Sequence, residues 1–208
     1  MSKTTEKRSL PSRIGRWTAE LLLVFVGVSA AFWLNNYQQQ REREERHQQL
    51  LASLEPELKH GILNTRENRV EAERTLAEFK RAVKAGEMPR LRPFVFTTSY
   101  NPSDMATLLQ SGGFDLLDSK TVLVVREFET VVRWGLSRMA RAQKLSDELI
   151  VPNLDQDISF FYDPGTKQLR KHFEFYADAL QAEVDFFHDL EAKQTQLLTQ
   201  IQTDRQRR

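Results

Sequence analysis

The 208-residue sequence predicts an all-α protein: an N-terminal transmembrane helix that continues into an antiparallel helical bundle. Three observations carry that expectation. The run Leu21 to Leu34 is unbroken in apolar and small residues, and no other stretch of the chain is comparable. Beyond it, apolar residues recur at helical spacing through long segments. The 8 glycines and 7 prolines cluster at a few places and leave those segments without a breaker.

The apolar core of the first element has 14 residues, fewer than the ~20 a bilayer needs. Counting from Trp17 to Tyr37 gives 21 residues, about 31 Å at the helical rise. Trp17 then marks one membrane interface and Trp33 and Tyr37 the other, the depth that amphipathic rings prefer. Two alternatives stand beside the span: a buried core helix, and a signal peptide cleaved after Val28-Ser29-Ala30. Against cleavage, Phe32, Trp33 and Leu34 continue the apolar character, and Glu20 interrupts the early region. Lys3, Lys7, Arg8, Arg13 and Arg16 precede the span, and Arg41, Arg43 and Arg46 follow it. That bias places the amino terminus in the cytoplasm. The expected organisation is a basic cytoplasmic tail over 1–16, a transmembrane helix over 17–37 and a soluble bundle over 38–208, periplasmic in a bacterium.

The polar stretch Gln38 to His47 consists mostly of strong helix formers, so the membrane helix is expected to run straight on into solvent. Leu51, Leu54, Leu58 and Ile62, then Val70, Leu76, Phe79 and Val83, continue it at helical spacing. Pro56 either kinks this helix or divides it near Glu55, and Gly86 followed by Pro89 stops it near Ala85. Pro89 to Tyr100 reads as an extended connection. Asn101 as N-cap, with Pro102 and Asp104 behind it, opens a short helix that Gly112-Gly113 closes. Asp118 or Ser119 caps a longer helix with a stripe of Val125, Phe128, Val132, Leu136, Met139, Leu145 and Leu149, ending before Pro152. After the turn Asp163-Pro164-Gly165, a last helix is expected over Thr166 to Thr203. Its near-heptad series of Leu169, Phe173, Tyr176, Leu180, Val184, Phe187, Leu190, Leu197 and Ile201 calls for another long helix alongside. Helices with one apolar face each can bury those faces only against one another. The tail from Asp204 to Arg208 reads as a frayed, solvated end.

Composition excludes several functions. The chain has 30 basic and 29 acidic residues; residues 1–37 hold five and two of these, leaving 25 and 27 beyond them. A near-neutral domain with interspersed signs lacks the concentrated basic face that nucleic acid requires. The absence of cysteine rules out disulfides, zinc thiolates and thiol catalysis. No Gly-x-Ser-x-Gly elbow, phosphate-cradling loop or His-Glu-x-x-His is present, and Ser111-Gly112-Gly113 reads first as a helix ending and second as a tight-packing or binding turn. Glu57 with His60, and Asp185 with His188, have the one-turn spacing of di-metal bundles. Both pairs flank the apolar stripes, which makes them solvated edge residues, and no metal or cofactor is expected. His47, inside a charged run, and His172 read as surface residues.

The segment Glu20-Leu-Leu-Leu-Val-Phe-Val-Gly27-Val-Ser-Ala-Ala31-Phe-Trp-Leu-Asn35-Asn36-Tyr37 resembles the N-terminal span of a family of uncharacterised single-pass bacterial membrane proteins. Leu108-Leu109-Gln110-Ser111-Gly112 resembles a segment of their soluble part. The family's last aromatic is usually Trp where this chain has Tyr37. The resemblance implies a bacterial origin and membrane anchoring and carries no activity.

Within the span, Glu20 and Gly27 are seven residues apart, and Gly27 with Ala31 forms a small-xxx-small pair. Such a face lets two helices approach closely and turns Glu20 toward a protein partner. The simpler account has Glu20 snorkelling at headgroup depth and the small residues as ordinary membrane-helix composition. The expected partners are the lipid bilayer and either a second copy or another membrane protein. The expected function is a non-enzymatic, membrane-anchored interaction or scaffold protein. The alternative is a ligand-sensing periplasmic bundle that signals through a partner.

Overall fold

A computed structural model describes residues 11–96 and 113–206. They form an all-α fold of three helices: α1 (Pro11–Lys84), α2 (Ser119–Leu149) and α3 (Phe175–Gln206). Short 3-10 turns lie between the long helices. The chain divides into two compact units, Met1–Arg46 and His47–Arg208.

The described part of the first unit is helical. It contains the one described helix stretch long and apolar enough to cross a membrane, with none of that apolar window buried. Of the two alternatives at Pro56, a kink or a division near Glu55, the division does not occur. Pro56 lies inside the helix, although it lacks the N–H that would bond to the preceding turn. Leu54 and Leu58 on either side of it are fully buried, and Glu55 accepts bonds from Gln202 (3.1 Å) and Arg205 (3.0 Å). Tertiary packing thus holds the helix through a poor local residue. Its end is set locally: Gly86 N–H donates to Val83 O and Glu87 N–H to Ala82 O, both at 3.0 Å. Gly86 adopts φ 75°, the left-handed conformation that such a cap requires and that glycine adopts most readily.

In the second unit, polar pairs along the seams fix the helix directions. Glu55 of α1 meets Gln202 and Arg205 of α3; Glu191 accepts from Arg66 (2.9 Å) and Arg69 (2.8 Å); Lys80 donates to Gln181 (2.8 Å). Residue numbers rise on α1 as they fall on α3. The same holds for α2, where Thr121 meets Gln200 and Glu127 meets Lys193 (2.7 Å). Helix α3 is therefore antiparallel to both others, and α1 and α2 share a direction. The end of α1 and the start of α2 therefore lie at opposite ends of the bundle. Residues 87–96 are neither helix nor strand, and the rest of the extended connection expected to Tyr100 lies outside the described residues. Tyr162 donates to Pro89 O (2.6 Å), Arg92 N–H to the Tyr176 hydroxyl (3.3 Å) and Phe94 N–H to Ser146 Oγ (2.7 Å). Leu91 and Phe94 are buried by that docking. The short helix expected after Asn101 lies outside the described residues.

Asp118 is the N-cap of α2, accepting the Thr121 N–H at 2.6 Å. The buried face of α2 contains Val125, Phe128, Val132 and Met139 as expected, and also Val124, Gly135, Ala142 and Ser146. Leu136, assigned to that face by spacing, is exposed. Gly135 takes the buried position because a Cβ there would collide with the Phe186 ring, which fills the space over it.

The last helix begins at Phe175, later than Thr166. Asp163 Oδ1 accepts from Gly165 N–H, Thr166 N–H (both 2.9 Å) and the Thr166 hydroxyl (3.2 Å), bonds that hold its carboxyl below the usual range. Lys167 follows at φ 56°, and Tyr162 pairs with Leu169 in an isolated bridge. Phe173 sits on a 3-10 turn against Phe160 and Phe161, with ring centroids 5.9 and 5.0 Å away. Local side-chain bonds and an aromatic cluster hold these residues out of the helix.

Candidate functional site

The residues assigned to membrane packing and anchoring all lie on the first part of α1. Trp17, Glu20, Gly27, Ala31, Trp33 and Tyr37 are exposed. No atom comes within 4 Å of a Cβ built on Gly27, so this helix surface is open. Val28, Ala31, Phe32 and Asn35 line a shallow groove beside it, with Ala31 contributing the small side chain that makes it a groove.

At the far end of this stretch three side chains four residues apart stack in sequence. The Trp33 and Tyr37 rings lie 5.8 Å apart at 12°, and the Arg41 guanidinium sits 5.3 Å from the Tyr37 centroid. Helical side chains lean toward the N-terminus, so Arg41 reaches back over Tyr37 and not forward to Glu45. Among the described residues no hydrogen bond or ion pair engages Arg41. Arg46 bonds instead to the Glu42 carbonyl (3.2 Å).

The second unit opens with a polar pair where a surface residue was expected. His47 is 1 % exposed and its Nε2 is 3.3 Å from Oδ2 of Asp204, itself 3 % exposed. The expectation for His47 is corrected, since it lies in the core, and so is that for Asp204, which is buried on α3; Arg205 and Gln206 beyond it are exposed, and residues 207–208 lie outside the described residues. The positions carried a signal, since 47-51-54-58 and 190-194-197-201-204 each continue a seam at alternating spacings of four and three. The seam also includes Gln194, fully buried, whose amide has no hydrogen-bond partner among the described residues.

A cleft of about 390 Å³ lies where α1 ends, between α1, the Pro89–Arg92 segment and the start of α3. Phe79, Tyr176 and Leu180 supply apolar walls, and Arg74, Arg90, Arg92, Glu71 and Glu78 the charges. Arg74 is bonded to Glu71 (2.7 Å) and Arg90 to the Leu154 carbonyl (3.0 Å). Two of its three arginines are thereby committed within the chain, which leaves Arg92 as the less occupied cation.

The two carboxylate–histidine pairs do not form a site. Glu57, His60, Asp185 and His188 are exposed, His60 contacts Asn64 (3.4 Å) and His188 approaches Asp189 (4.0 Å). Among the described residues no group of three or more His, Cys, Asp or Glu side chains could hold a metal ion. His172 is exposed, as its sequence setting suggests. The single described carboxyl pushed far upward is Glu183, raised by burial alone to about 7; no cation among the described residues pairs with it. Its folded pKa exceeds the unfolded value, so its contribution is greatest at low pH and is lost as pH rises through about 7. Chemical unfolding across pH 4 to 8 should show stability falling through that window, and Glu183→Gln should flatten the profile.

Fold and site together define a helical bundle whose first helix carries a long exposed apolar stretch. No family profile matches the chain, and neither a curated protein nor a solved structure matches it.

Proposed function

We propose that this chain is a membrane-anchored helical interaction protein, without catalytic activity of its own, that holds a partner at the bilayer. The observation that carries the reading is the exposure of the apolar stretch: Leu21 is 75 % exposed, Phe25 and Phe32 70 % each. Apolar surface on this scale has no stable place in water, and a helix that is apolar all round belongs in lipid. The basic bias before the span supports a cytoplasmic amino terminus with the bundle on the other side. The resemblance to uncharacterised single-pass bacterial proteins supports an inner-membrane location with a periplasmic bundle. Gly27, Ala31 and Glu20 offer the face for a second copy or a membrane-protein partner, and the near-neutral bundle argues against nucleic acid.

Crosslinking in native membranes, followed by purification in detergent and mass spectrometry, tests this reading. A stoichiometric membrane partner or a discrete oligomer is expected, and Gly27→Ile should weaken the crosslink if the span makes the contact. Recovery of an uncrosslinked monomer would remove the scaffold reading. It would favour ligand sensing, which the cleft around Tyr176 supports as the second reading.

A further inference from the structure

We propose that Arg41, held by the Trp33–Tyr37 stack, binds the phosphate of a phospholipid headgroup. The inference rests on the reading of Trp17 to Tyr37 as a membrane span. Residues 33, 37 and 41 follow one face at the i, i+4 spacing, and the structure stacks all three, with 5.8 Å between the rings and 5.3 Å from guanidinium to ring. Trp and Tyr settle at the boundary between hydrocarbon and headgroups. Four residues of helix advance about 6 Å, and the headgroup layer on each side of a roughly 30 Å core is about 5–7 Å deep. A Tyr37 ring at the boundary therefore delivers Arg41 to phosphate depth.

The chemistry fits that address. A guanidinium over a ring face keeps its N–H donors at its edge, free to chelate an oxyanion with two parallel bonds. Stacking restricts the rotamers of a long side chain, so less freedom is lost when the phosphate binds. The stretch after Tyr37 is rich in carboxylates that could neutralise an arginine. Arg41 nevertheless makes no ion pair among the described residues, because its side chain leans back along the helix onto Tyr37. A compact, strongly hydrated lysine could not reproduce both the stack and the two-pronged contact.

The experiment uses the full-length chain, labelled at the arginine guanidinium carbon, in vesicles of phosphatidylethanolamine and phosphatidylglycerol. Solid-state NMR measures dephasing of that carbon by lipid phosphorus, and Trp33 quenching by brominated lipid reports insertion independently. The expected result is a dephased arginine signal of which one component is lost in Arg41→Gln and weakens in Tyr37→Leu, with Trp33 quenched in all three proteins. Dephasing unchanged in Arg41→Gln, with Trp33 still quenched, would overturn the phosphate assignment and leave the span intact. Unquenched Trp33 in wild type would overturn both.

Discussion

Replacing Asp204 with alanine should destabilise the bundle by about 3 kcal/mol, the lower end of the range for removing one partner of a buried pair. His47 and Asp204 are almost wholly shielded from water, and their 3.3 Å contact joins the start of the bundle's part of α1 to the last turns of α3. Without the carboxylate, His47 Nε2 loses this partner in a place water does not reach, and the desolvation of the imidazole is no longer offset. The double variant His47→Leu/Asp204→Leu should recover much of the loss, because both polar groups leave together and apolar side chains extend the neighbouring seam of Leu51, Leu197 and Ile201. Urea unfolding of the two single variants and the double variant in detergent measures the coupling as a cycle. A change below about 0.5 kcal/mol for Asp204→Ala, the ordinary range for surface substitutions, would mean that the end of α3 is solvated after all.

Gly135→Ala should also destabilise, by about 1–3 kcal/mol as overpacking does, and the sign is the informative part. On helix propensity alone, glycine to alanine inside α2 should stabilise by about 1 kcal/mol. The Phe186 ring occupies the space the new methyl group would need, so either α2 and α3 move apart or the ring leaves its place beside Phe96 and Phe187. A companion variant, Gly135→Ala/Phe186→Leu, should relieve the clash and be closer to wild type than Gly135→Ala. Unfolding midpoints decide it: a more stable Gly135→Ala would show that the Phe186 ring yields to the added methyl group without cost.

The features legible in the sequence were those with local causes. Gly86 stops α1 through backbone conformation, and Asp118 caps α2 through a bond three residues away. The apolar stretch of α1 is a matter of composition alone. Features that depend on partners distant in the chain were read differently. Residue type points to the surface at His47 and Asp204, whereas their spacing continues the buried seams of α1 and α3. Gly135 has no apolar side chain to register in a periodicity, and its role exists only because Phe186 faces it. Thr166 to Glu174 could satisfy a helical pattern, but Asp163 and the cluster of Phe160, Phe161 and Phe173 hold it otherwise. At the end of the apolar stretch, Trp33 and Tyr37 stand out in the sequence, whereas Arg41 lies within a stretch that reads as uniformly solvated.

In the proposed function, the apolar part of α1 holds the protein in a bilayer. Alkaline carbonate extraction of membranes containing the full-length chain tests it most directly, since that treatment strips peripheral proteins and leaves inserted helices. The chain is expected to stay with the membrane pellet at full length. Its appearance in the soluble fraction, intact or as a product beginning at Ala31, would contradict the account.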